Sequence, residues 1–166
     1  MDLFQKLNLS FRHKLPGLRQ AQAAQCGLAC IGVLAGFYGH HIDMVSLRQR
    51  FPTSLKGSTL SNVMSFAQNL GMGCRAVRLE LDELDKLSLP CILHWDMNHF
   101  VVLKGFAKNK IIIHDPARGV RKVPMDEVSH SFTGVALELY PAATFEKKDE
   151  KKSISMFNLI RNVSGI

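Results

Sequence analysis

The chain has 166 residues, enough for one domain with a buried core, and its 46% hydrophobic and 21% charged residues exclude a disordered chain. Its net charge of +7 is scattered, with no aromatic-interleaved basic run, so nucleic acid is not an expected partner. The longest nearly uncharged apolar run, 29–38, is half of what a membrane span needs, and the first residues lack a signal-peptide core; a soluble, cytoplasmic piece is expected.

Residues 1–19 are basic, end in a Pro16-Gly17 turn and are expected to lie over the surface. A central helix is predicted over 26–38, where Leu28, Ile31, Leu34, Ala35 and Tyr38 recur at helical spacing until Tyr38-Gly39 closes it. Asp43 is a good N-cap for a short helix through Arg50, stopped by Pro52. Ser58 is expected to cap an amphipathic helix with Leu60, Val63, Met64, Ala67 and Leu70 on one face and Gly71 beyond its end. The preceding Lys56-Gly57-Ser58 has the wrong order for a phosphate loop, and no strand leads into it, so no nucleotide site is expected. After Gly73 the period becomes extended. Residues 74–80 alternate, 81–87 form a helical turn, and 90–95, 99–106 and 110–114 read as three buried strands. A short helix over 125–131 and a last strand over 135–140 complete an α+β domain, helices first and antiparallel sheet second. The charge run 146–152 reads as a solvated linker. Beyond it Ile154, Phe157, Ile160 and Arg161 begin an amphipathic pattern, as at the front end of something longer.

Cys26 stands where the central helix begins. The free amides of a first helical turn and the positive end of its dipole favour thiolate, which suits a nucleophile; the plainer reading is a small cysteine buried in a core helix. Gln20, one loop upstream, carries a side-chain NH2 that can stabilise an oxyanion at the same place. Cys26 and Cys30 also have the spacing of two metal ligands on one helical turn, but no second close Cys/His pair is clear. The four cysteines lie in different apolar settings and do not form a disulfide framework.

A nucleophilic thiol needs a histidine to take its proton and a third group to orient the ring. Strands 99–106 and 110–114 are joined by a hairpin-length turn. Centred near Lys108, that turn sets Asp115 opposite Val101 and His99 opposite Ala117, so His99 and Asp115 become diagonal neighbours on one face. A one-residue slip would separate them. His94, at the end of the previous strand, is the competing base, whereas His114 should point away from the face used by Asp115. The alternative to a catalytic pair is a surface histidine and an Asp115-Pro116 turn. The order Cys, His, Asp is that of papain-like peptidases.

The segments Gln20-x4-Gln25-Cys26-Gly27-Leu28-Ala29-Cys30, Tyr38-Gly39, Leu70-Gly71, His99-Phe-Val-Val-Leu103 and His114-Asp115-Pro116-Ala117-Arg118-Gly119 closely resemble those of the double-glycine leader peptidases. These are the N-terminal cytoplasmic domains of ATP-binding-cassette exporters of the colicin V and microcin type. The resemblance covers roughly residues 15–140. It implies a papain-like fold and a cysteine peptidase that cuts after a Gly-Gly pair, with Cys26 as nucleophile, His99 as base, Asp115 as orienter and Gln20 as oxyanion donor. It further implies no cofactor for the chemistry, with ATP used only in a nucleotide-binding domain outside this chain. The implied partners are a precursor peptide with a double-glycine leader and the transmembrane and nucleotide-binding domains of the same exporter, at the cytoplasmic side of the bacterial inner membrane. The corresponding division is an extension over 1–14, a peptidase domain over 15–141 and a linker over 142–166. Some related exporters keep the domain only to dock substrate, having lost the cysteine. One departure is Gln25, where the family usually has an acidic residue; it leaves any calcium dependence open.

Overall fold

The structure, a computed structural model, describes residues 25–52 and 58–151. Helix α1 (Cys26–Phe37) is followed by β1 (His40–Ile42), α2 (Met44–Arg50) and α3 (Leu60–Asn69). Strand β2 (Met72–Arg78) and a 3-10 helix (Leu81–Lys86) lead to β3 (Cys91–Trp95), β4 (His99–Ala107) and β5 (Lys110–Asp115). The chain continues through β6 (Gly119–Pro124), α4 (Met125–Ser131), β7 (Phe132–Pro141) and β8 (Lys148–Glu150). Six strands form one antiparallel sheet in the order β2-β7-β3-β4-β5-β6, while β8 pairs in parallel with β1.

Alternation along the central strands builds two apolar layers. Ile92, Phe100 and Val102 pack with α1, α2 and α3, whereas Leu93, Val101 and Leu103 pack on the other face with Leu84 of the 3-10 helix and Val128 of α4. Both faces of β3 and β4 are therefore covered, which explains their nearly continuous apolar runs. Helix α1 is buried from Cys26 to Gly36, so its length and uniform apolarity, rather than one-sided periodicity, mark it as a core helix.

Local signals placed most boundaries. Asp43 Oδ1 accepts the Ser46 N–H at 2.7 Å, as its capping role requires. The expected cap at Ser58 is corrected by one residue: Thr59 Oγ1 accepts the Asn62 N–H at 3.2 Å. Gly71, at φ +78°, ends α3, and a Cβ there would lie 2.6 Å from the Thr144 carbonyl oxygen. Three strands were not predicted. Strand β6 has only Val120 and Val123 as apolar markers, and β1 is three residues long. Strand β8 lies inside the charge run expected as solvated linker, where Glu150 is paired with Lys148 at 2.7 Å and with Arg50 at 2.9 Å. Gln20, the basic segment over 1–19 and the amphipathic pattern beyond 152 lie outside the described residues.

Candidate active site

The site forms where the first turn of α1 meets the start of β4. Cys26 is the first residue of α1 and is only 1% exposed. Gly27 lets α3 close over that turn, since a Cβ there would sit 2.5 Å from Val63 Cγ2. His99 opens β4, directly across from Trp95. The intervening turn uses left-handed Asp96 and Met97, at φ 47° and 64°, and the Asp96 N–H is held by the Ser131 carbonyl at 2.8 Å.

His99 and Asp115 do meet, though by a route different from the simple hairpin. Ala107 pairs with Lys110 around a two-residue turn. Continued unbroken, that register would set Asp115 opposite Val102, on the wrong face for His99. A β-bulge between Leu103 and Gly105 leaves Lys104 over and realigns Leu103 with Ile113 and Val102 with His114. The added residue restores the alignment of Asp115 with Val101. The His99 Nε2–H then donates to Asp115 Oδ1 at 2.9 Å. The same oxygen accepts the Ala117 N–H at 2.9 Å, so Asp115 starts the turn and holds the histidine at once. Gly119, at φ +84°, closes this turn opposite Asp115.

Burial of the His99 ring opposes its charged form, but hydrogen bonds with Asp115 and Cys26 outweigh that and lift it to about 9. Burial likewise opposes ionisation of Asp115. The bonds from His99 and the Ala117 N–H, with the charges of His99 and Arg121, nonetheless keep it below the usual carboxylate range. With Nε2 engaged by Asp115, Nδ1 is the ring nitrogen left to exchange a proton with the Cys26 thiol.

The other candidates are placed differently. His94 Nδ1 is hydrogen-bonded to Thr133 Oγ1 at 2.8 Å and its ring lies against Phe100, with centroids 5.2 Å apart. Cys30 is fully buried, and burial, then the nearby Cys26 and Asp115, push its thiol well up and keep it neutral. Among the described residues no three His, Cys, Asp or Glu side chains are grouped to hold a metal ion. The side chain of Gln25 does not cap α1; its Oε1 accepts from Arg48 Nε at 2.5 Å, tying the start of α1 to α2. Sequence reasoning missed Arg121, whose Nη2 lies 3.9 Å from Asp115 Oδ2. Its position shortly after the Gly119 turn was the available signal.

A thiol at the start of a helix, coupled to an imidazole at the start of an antiparallel strand, places the protein among the papain-like cysteine peptidases. Residues 14–144 match the Peptidase C39 family, and the chain belongs to that family of cysteine peptidases. It is 44% identical over 160 residues to the colicin V secretion/processing ATP-binding protein CvaB of Escherichia coli, covering 96% of this chain and 23% of that protein. It is 43% identical over 165 residues to the probable microcin-H47 secretion/processing ATP-binding protein MchF of Escherichia coli, covering 99% of this chain and 24% of that one. The chain thus spans about a quarter of these relatives' length. The crystal structure of a double glycine motif protease from an AMS/PCAT transporter, in complex with the leader peptide, superposes with a TM-score of 0.73 at 38% identity. That match covers 78% of this chain and 93% of the other.

Proposed function

We propose that this domain removes the leader from bacteriocin or microcin precursors by cutting after a Gly-Gly pair, at the cytoplasmic face of the membrane, as the processing part of an ATP-binding-cassette exporter. The observation that carries the reading is the linked set of Cys26 at the start of α1, His99 at the start of β4 and Asp115 at the end of β5. The names of the relatives and of the leader-bound protease support the substrate class. No helix among the described residues is long and apolar enough to cross a membrane.

In the proposed mechanism the Cys26 sulfur attacks the carbonyl carbon of the second glycine, forming an S–C bond. The oxyanion is held by the Cys26 backbone N–H and the Gln20 side-chain amide. His99 passes its proton to the leaving amine as the C–N bond breaks, giving a thioester. Water deprotonated by His99 then hydrolyses the thioester, while Asp115 keeps the ring oriented. A narrow channel beside the sulfur would admit only residues without a β-carbon, which accounts for the glycine requirement. The chemistry needs no cofactor.

The test is mass spectrometry of a precursor with a double-glycine leader, incubated with this domain or with its Cys26→Ala variant. A single cut after the second glycine, absent with the variant, is expected. Binding of the leader without a cut would show a docking domain instead.

A further inference from the structure

We infer that Arg121 is a positioning residue of the peptidase, acting through Asp115 on His99. The inference deepens the peptidase reading and rests on it. Asp115 has two carboxylate oxygens with different duties. Oδ1 is committed to His99 Nε2 and the Ala117 N–H, each at 2.9 Å. Oδ2 faces Arg121 Nη2 at 3.9 Å, and no hydrogen bond joins the two at that separation. Arg121 is itself held from the other side, because its Nη1 donates to Glu127 Oε1 at 2.7 Å. A line of groups therefore runs from Cys26 on α1 through His99 on β4, Asp115 on β5 and Arg121 on β6 to Glu127 on α4.

The placement follows from the β5–β6 pairing. Asp115 lies opposite Gly119 and Ile113 opposite Arg121, so Arg121 is the diagonal neighbour of Asp115 on the face that carries His99. The Asp115 side chain is 4% exposed and that of Arg121 24%, so the guanidinium screens the carboxylate from solvent and presents a fixed charge to it. A carboxylate with one oxygen facing a cation is a weaker partner for imidazolium than an unshared one. Arg121 therefore restrains the basicity of His99 while limiting rotation of the carboxylate. The other titratable groups around the pair are the thiols of Cys26 and Cys30 on α1, His114 on β5 and, through His114, Lys104 on β4.

The sign of each substitution follows. Arg121→Met removes the cation, leaves the Asp115 charge wholly to His99 and raises the alkaline limb of kcat/KM by about half a pH unit or more. It also lowers kcat about 3- to 10-fold, with KM little changed, because the orienting carboxylate is looser. Glu127→Gln frees Arg121 to act more strongly on Asp115 and shifts the limb slightly the other way. Arg121→Lys keeps the charge and restores the position of the limb, but only part of kcat, since an ammonium lacks the planar fork.

The experiment is the pH profile of precursor cleavage by these variants, together with NMR titration of the His99 imidazole in each. Opposite shifts for Arg121→Met and Glu127→Gln, with the limb restored by Arg121→Lys, are expected. A limb and titration unchanged in Arg121→Met would overturn the inference whatever the rate, and would make Arg121 a structural residue. If Arg121→Met does not fold, the surface variant Glu127→Gln decides: a downward shift supports the inference and no shift overturns it. The titration needs no turnover, so a domain that cleaves nothing would sink the peptidase reading and leave the Arg121 inference decided by NMR.

Discussion

Asp115→Asn keeps the shape of the orienting side chain and removes its charge. His99 stands at about 9 against an ordinary 6.5, equivalent to roughly 3 kcal/mol in favour of the charged ring. Asp115 and Cys26 share that preference, and the ring is partly open to solvent, so screening leaves the carboxylate on the order of 1 kcal/mol. The alkaline limb of kcat/KM should therefore fall from about pH 9 in the parent to about pH 8 in the variant. The optimum value should drop about 10- to 100-fold as the ring loses its orienter. A raised folded-state value stabilises the domain fully below about pH 6.5 and loses that contribution as pH rises through about 9. The parent should thus lose thermal stability across that window, and the variant by about 1 kcal/mol less, its decline ending near pH 8. The assay is steady-state cleavage of a Gly-Gly peptide between about pH 6 and 10, with thermal melts over the same range. A limb that stays within about 0.2 of the parent's would refute the argument that Asp115 sets the charge of His99.

Other substitutions probe the rest of the site. His94→Ala should retain most activity, because His94 is bonded to Thr133, whereas His99→Ala should abolish cleavage; the reverse pattern would make His94 the base. Deleting Lys104 removes the unpaired residue while Leu103 keeps Ile113 and Val101 keeps Asp115 as partners, so peptide cleavage should be largely retained. Loss of cleavage in a deletion that circular dichroism reports as folded would show that the strand does not close up in this register. Gly27→Ala drives a methyl into Val63 Cγ2 and should lower stability by about 1 to 3 kcal/mol in urea unfolding. Gln25→Glu turns the bond from Arg48 into an ion pair and should change kcat/KM less than about threefold; a large gain would mean that the natural glutamine impairs the domain.

Much of this protein was legible one segment at a time. The helix that starts at Cys26, the Asp43 cap, the glycine end of α3 and the three apolar strands each announce themselves through caps, turns and periodicity. Those signals are local because they arise from backbone groups and neighbours a few residues apart. The Cys-His-Asp order was equally visible, but order alone does not bring side chains together. Tertiary packing decided that β7 lies between β2 and β3, that the charged residues of β8 return to β1, and that Arg121 faces Asp115. It also decided the bulge at Lys104. A hairpin with or without that extra residue satisfies the same turn, and only filling both faces of β4 at once, with Val102 toward α1 and Leu103 toward the opposite layer, selects between them. The residues of the site are therefore written in the sequence, whereas their meeting depends on a register that long-range packing sets.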